Sequence, residues 1–382
     1  MASRRQWHLS TLSAIVGAVL LAACGGGSDS GPSITRVVSF GDSLSDLGTH
    51  APLTSIAGTG TSPFFGGRYT TNTHTGYTAT SNGNTATIWV EWIAARVGVP
   101  ITQAMAGAIT PAGTIRRPCP AAANPALAES CTAYGQGGAR VSLTPGWASP
   151  PQLADPLTVQ VAAHLARFTR FNAGDIVFAW TGGNDFLVQS RDLGLGQITP
   201  TTAVTNMATA GTDLANLIKT QIVANGATRV VAMTLPDPGI TPDYAASPAP
   251  TKAFLTQMTN AYNSAVIAGL AGTNVQIIDV GAYLADVVAR PASYGFVNAS
   301  AGACDPALIP PAAGGSALFC NTGSAALFTA AGLPNLSMLR AGANINTWAF
   351  ADGFHPSTGG HKAIGDFVIS KIKEFGWIPL NQ

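Results

Sequence analysis

The chain has 382 residues, enough to bury a sizeable core in one large domain or two ordinary ones. Charged residues make up only 10 % and the formal net charge is +1, so no electrostatic argument favours nucleic acid. Abundant glycine and proline beside 46 % hydrophobic residues exclude a solvated, disordered chain and fit a loop-rich folded one.

Arg4 and Arg5 precede an apolar run from Leu12 to Ala23 that is too short to span a membrane, the pattern of a targeting segment. The run ends in Leu21-Ala22-Ala23-Cys24, followed by a Gly/Ser-rich stretch. It resembles a bacterial lipoprotein signal. The resemblance implies that residues 1–23 are removed, that Cys24 is lipid-modified, and that residues 24–33 form a flexible tether to a membrane. Gly25 after the cysteine implies outer-membrane sorting, on the periplasmic or the cell-surface face. An ordinary secretory signal with an incidental cysteine is the alternative.

The first strand is expected at Ile34–Val38, a short β-branched run. It leads into Ser39-Phe40-Gly41-Asp42-Ser43, which places a serine just beyond the C-terminal end of a strand. A polar stretch from His50 to Thr87, with His74 an exposed and inert member, reads as a surface excursion. Ile88–Val97 reads as an amphipathic helix stopped by Gly98 and Pro100, with Trp89 and Trp92 in the core, and a short strand follows at Ile101–Ala104. Residues 107–152 read as an irregular insertion containing the glycine turn Gly135-Gln136-Gly137-Gly138. Beyond it come a helix at Leu157–Phe168, a strand at Asp175–Thr181 ending in Gly182-Gly183-Asn184-Asp185, a helix at Thr202–Ala224 and a strand at Thr228–Leu235. A helix at Pro250–Ala271 and a strand at Val275–Val280 complete the alternation. Residues 290–350 read as a second insertion, and Gly360–Phe375 as the closing helix. Strands alternating with helices predict an α/β fold with a parallel sheet covered on both faces, residues 34–382 forming one domain.

Four cysteines remain beyond Cys24: Cys119, Cys131, Cys304 and Cys320. In an exported chain an even number points to disulfides. The sequence-local pairing, Cys119 with Cys131 and Cys304 with Cys320, is the expected one among the three possible connectivities, and the other two stay open. No C-x-x-C, paired-histidine spacing, Walker-type Gly-Lys-Ser/Thr, H-E-x-x-H or G-x-S-x-G occurs, so no metal or cofactor is expected.

Three strand ends and one C-terminal loop hold chemically useful groups. Ser43 is a candidate nucleophile; taken alone, it reads more readily as a helix cap. Asp352 lies three residues before His355, so one loop can deliver a base and the carboxylate that orients it. Gly138 and Asn184 sit at other turns. His361, the rival base, begins a helix and reads as structural, as do the carboxylates of Asp42, Asp46 and Asp185.

Taken in order, these segments resemble the SGNH hydrolases, also called the GDSL esterase/lipase family. Phe40-Gly41-Asp42-Ser43-Leu44-Ser45-Asp46 is similar to its first block, Gly137-Gly138-Ala139 to its second, Gly182-Gly183-Asn184-Asp185 to its third and Asp352-Gly353-Phe354-His355-Pro356 to its fifth. The resemblance implies a three-layer, flavodoxin-like parallel sheet, with Ser43, Asp352 and His355 catalytic and an oxyanion hole built from the Ser43 N–H, the Gly138 N–H and Asn184. Within the family the chain is most similar to the lecithinase/haemolysin branch. It departs from that branch where Gly67-Arg68-Tyr69 is separated from Asn82-Gly83-Asn84 and Trp89, and where Tyr134 and Gln136 enter the second block. Those departures bear on the acyl pocket rather than on the catalytic set. The function implied is hydrolysis of small-molecule or lipid carboxylic esters by a monomer. An acyltransferase using the same acyl-enzyme, or an inactive lipid- or glycan-binding lipoprotein, is the alternative.

Overall fold

A computed structural model describes residues 33–50, 67–73, 84–110, 113–147, 154–309, 315–323 and 337–379. The expected signal segment, Cys24, all of the tether except Ser33, His74 and Asn82-Gly83 lie outside these residues. Six parallel strands make the central sheet: β1 (Arg36–Gly41), β2 (Thr102–Gln103), β5 (Cys131–Ala133), β6 (Asp175–Trp180), β7 (Val230–Met233) and β8 (Gln276–Ile278). Their spatial order is β2-β5-β1-β6-β7-β8, so the chain moves to one side of β1 and then crosses back to the other. In such sheets ligands bind beyond the carboxyl ends of the strands, beside the strand where the direction reverses; here that strand is β1.

The central strands β6 and β7 read as nearly continuous apolar runs because both faces are covered. In β6, Ile176, Phe178 and Trp180 point into one core, while Val177 and Ala179 point into the other. The first core is closed by α1 (Trp89–Val97) and α7 (Thr358–Glu374). The second is closed by α2 (Leu157–Phe168), α4 (Pro200–Leu217) and α5 (Ala249–Leu270). Trp89 is fully buried against Phe178 and Trp180, whereas Trp92 is only half-buried. The parallel α/β architecture is therefore the expected one.

The insertions hold more regular structure than their composition suggested. Residues 107–152 were expected to be irregular, yet Met105–Thr110 (β3) and Gly113–Pro118 (β4) form an antiparallel hairpin, and β5 joins the central sheet. β5 escapes a periodicity reading because it is three residues long and holds Cys131, Thr132 and Ala133, with no run of bulky β-branched side chains. In the second insertion β9 (Asn298–Gly302) pairs in parallel with β10 (Trp348–Phe350), which sets the height of the Asp352–His355 loop. Two further helices start directly at strand ends: α3 (Gly183–Gly194), where a turn was expected, and α6 (Val280–Ala289), whose first residue was expected to end the last strand. The cysteines pair as Cys119–Cys131 and Cys304–Cys320.

At the strand ends opposite the site, Arg36 reaches Asp175 through two parallel bonds, Nε–Oδ1 at 2.9 Å and Nη2–Oδ2 at 2.7 Å, both side chains being buried. Removing Arg36 leaves the buried Asp175 carboxylate without its cation, with the Asn172 N–H at 2.8 Å still donating to it. Arg36→Ala is expected to lower stability by about 3–5 kcal/mol in urea denaturation, with activity per folded molecule unchanged.

Candidate active site

Ser43 owes its position to a sharp exit from β1. A Cβ on Gly41 would come within 2.6 Å of the Trp180 carbonyl oxygen, so only glycine lets β1 lie this close to the end of β6. The buried Gln160 amide fixes that exit, accepting from the Gly41 N–H at 2.9 Å and donating to the Gly41 carbonyl at 2.8 Å. Asp42 then caps a tight turn over Ser43–Ser45 by accepting from the Leu44 N–H. Asp46 accepts from the N–H groups of Gly48, Thr49 and Gly137, tying the serine turn to the glycine turn after β5.

That last bond decides the register of the glycine turn. The Gly137 N–H is spent on Asp46 at 2.7 Å, while the Gly138 N–H has no partner among the described residues. Gly138 has φ of 85°, a conformation that glycine adopts without strain. Asn184 stands in the first turn of α3, behind Gly182 with φ of 117°. Its amide donates one hydrogen to the Ala139 carbonyl at 2.9 Å, leaving the other available. Asp185 holds the far side of the same turn, accepting from Arg140 at 3.0 Å and from the Val141 N–H at 2.9 Å.

β10 delivers the last two groups. His355 Nε2 is 2.9 Å from Ser43 Oγ, across 312 residues of sequence. His355 Nδ1 is 2.8 Å from Asp352 Oδ2 and 3.0 Å from Oδ1. Asp352 Oδ1 also accepts from the N–H groups of Phe354 and His355. Burial opposes charge on the imidazole, but Asp352, aided by Asp42 and Asp243, outweighs it and lifts the His355 pKa above its ordinary value. Burial likewise opposes charge on Asp352, yet the facing imidazole and the backbone donors hold its carboxyl below the usual range. Burial pushes the Asp42 carboxyl up to about 7. The structure thus brings Ser43, Gly138, Asn184, Asp352 and His355 to one rim. His361 stays apart: it is fully buried at the start of α7, faces the Trp89 N–H and the Tyr69 carbonyl, and burial drops its pKa to about 3. Among the described residues no cluster of His, Cys, Asp or Glu could hold a metal ion.

Two residues at the site had no assigned role in the sequence. Gln160 lies mid-helix, and only its distance from Gly41 reveals it. Tyr69 lies with its ring 4.9 Å from the His355 ring, and its hydroxyl stands where a Cβ on Gly137 would be, within 2.1 Å. The tyrosine therefore spans from the imidazole to the glycine turn. Its place after Gly67-Arg68 was the available signal.

The arrangement pairs an alcohol with a base, an orienting acid and unpaired donors. Searching the curated proteins finds none that matches the chain. The family model described as GDSL-like Lipase/Acylhydrolase does match, over residues 37–368, a span that runs from β1 into α7 and takes in every group just described. The chain belongs to the GDSL-like lipase/acylhydrolase family and is a hydrolase of the esterase/lipase type.

Proposed function

We propose that this chain is an exported esterase that hydrolyses carboxylic esters through an acyl-enzyme on Ser43. The observation that carries the reading is the 2.9 Å contact between His355 Nε2 and Ser43 Oγ, with Asp352 on the other ring nitrogen. Ser43 Oγ attacks the ester carbonyl carbon as His355 Nε2 takes its proton. The Ser43 N–H, the Gly138 N–H and the free Asn184 amide hydrogen hold the oxyanion. Collapse expels the alcohol, which takes the proton back from His355. A water, deprotonated by the same nitrogen, then frees the acid and regenerates Ser43.

The chemistry asks for a neutral imidazole and no redox partner. Export is supported by the N-terminal sequence, in which Cys24 would carry the lipid anchor to the outer membrane. No helix among the described residues is long and apolar enough to cross a membrane.

A fluorophosphonate probe tests the reading, because it phosphonylates only a serine activated by its neighbours. Peptide mass spectrometry is expected to find the adduct on Ser43; a folded, unlabelled Ser43 would leave a binding protein instead. The oxyanion assignment has its own test. Asn184→Ala should lower kcat by about 10²–10³-fold with KM little changed, since the donor acts on charge that develops only in the transition state.

A further inference from the structure

Asp352 is gripped by two segments that a disulfide joins. On its backbone side the Cys304 N–H donates to the Ala351 carbonyl at 2.8 Å, and the Ala303 N–H donates to the Phe350 carbonyl at 2.9 Å. Gly302 lies so close that a Cβ there would stand 2.7 Å from the Asp352 Cα. On the carboxylate side the Ala317 N–H donates to Asp352 Oδ2 at 2.7 Å. Ala317 opens a tight turn, Ala317–Phe319, that ends at Cys320. Cys320 and Cys304 are bonded to each other, and both are buried in a small separate core with Ile309, Met338 and Ala351.

The other donors to the carboxylate, the N–H groups of Phe354 and His355 and the ring Nδ1, belong to the loop that carries it. They fix the shape of the loop but not its attachment to the rest of the site. Among the described residues the Ala317 N–H is the one donor from elsewhere. The same turn reaches the base. Fully buried Asn72 donates from Nδ2 to the carbonyls of Ala317 and Cys320 at 3.0 and 2.9 Å, and its segment carries Tyr69 against the His355 ring.

We propose that the Cys304–Cys320 disulfide is a positioning device for Asp352, closing the two segments on the acid so that full turnover requires this bond to be oxidised. The inference rests on the catalytic reading of Ser43, His355 and Asp352. Opening the bond needs a dithiol, whose two thiols supply two electrons and two protons. The S–S bond breaks, two cysteine thiols form and the reductant closes to its own disulfide.

The full chain with Cys304→Ala and Cys320→Ala tests it, with Cys119→Ala/Cys131→Ala as the comparison. Competent sites are counted with the fluorophosphonate probe, and kcat, KM and the pH profile of kcat/KM are measured on a p-nitrophenyl ester. The Cys304/Cys320 variant is expected to lose about 10–100-fold in kcat per competent site with KM little changed, as a small misplacement of a catalytic group does. Its acid limb should move to lower pH. The groups facing His355 are Asp352 on its own loop, Asp42 after β1, Asp243 on the turn after β7, Tyr69, and His361 on α7; of these, Asp352 alone is held by the opened turn through a bond to its charged group. The Cys119/Cys131 variant should lose thermal stability with its acid limb unmoved. A Cys304/Cys320 variant with wild-type kcat and limb overturns the inference alone. A wild-type chain that neither labels nor turns over ester overturns the catalytic reading, and this with it.

If the double variant does not fold, native protein is reduced with dithiothreitol while circular dichroism and thiol labelling of Cys304 and Cys320 are followed. A fall in kcat that tracks labelling at constant circular dichroism, and returns on reoxidation, bears the inference out. Unchanged kcat, or activity and circular dichroism lost together, makes the bond a stability staple only.

Discussion

Ser43→Ala is expected to slow hydrolysis of a p-nitrophenyl ester by at least about 10⁴-fold, with circular dichroism unchanged. In the proposed mechanism the hydroxyl forms the covalent bond that divides the reaction into two easier steps, and no other described side chain stands 2.9 Å from His355 Nε2 as an alcohol. What survives is what the oxyanion donors and substrate binding give to a bound water. Because nucleophile and base act as a unit, adding His355→Ala to Ser43→Ala should cost little more than either change alone. The fold has no stake in this hydroxyl: β1 is pinned by Gln160, and the turn by Asp42 and Asp46. A Ser43→Ala protein that keeps most of its activity would remove the acyl-enzyme mechanism outright.

The parts of this site that could be read in the sequence are those whose geometry is local. A strand of β-branched residues running into Gly41-Asp42-Ser43 fixes where the hydroxyl emerges, whatever the rest of the chain does. Asp352 and His355 are three residues apart, so one loop brings carboxylate and imidazole together, and the 2.8 Å bond between them follows almost from spacing alone. Helix α2 was legible to the residue, because its apolar face repeats at helical spacing. The unread parts depend on distant contacts. Strand β5 carries little β-propensity of its own and is a strand because β1 and β2 flank it. Helix α3 begins on two glycines, which local propensity scores against, and is held by Asp185 reaching across to Arg140. The choice between Gly137 and Gly138 needed the Asp46 carboxylate, 91 residues away. Tyr69 was visible only as a departure from a familiar spacing; its contact with His355 is set by Asn72 and the Cys320 turn.

Asp352→Asn should be nearly as damaging as loss of the nucleophile, about 10⁴-fold in kcat, although it exchanges one oxygen for one nitrogen. The reason lies in the donors around the carboxylate. Oδ1 accepts from two backbone N–H groups, and Oδ2 accepts from the Ala317 N–H and from His355 Nδ1. An asparagine keeps its oxygen where two fixed N–H groups point, which sends its NH₂ to the Oδ2 position. There it faces Ala317 donor to donor and donates to Nδ1 at the nearer of its two contacts, while the farther one, at 3.0 Å, meets an oxygen already taken by two backbone N–H groups, so the tautomer in which Nδ1 accepts is favoured. The imidazole proton must then sit on Nε2, where it meets Ser43 Oγ and leaves no lone pair to take the serine proton. The pH profile carries a second signature. In the proposed mechanism the base works when neutral; burial opposes its charge, and Asp352, aided by Asp42 and Asp243, outweighs burial and raises its pKa. The acid limb of kcat/KM should therefore lie above the ordinary imidazole value in wild type. In Asp352→Asn it should fall to lower pH, since burial remains and the largest of the charges opposing it is gone. Asp243, close to the same imidazole, bounds the argument: a variant with near-wild-type kcat and an unmoved limb would assign the orienting charge to Asp243 and not to Asp352.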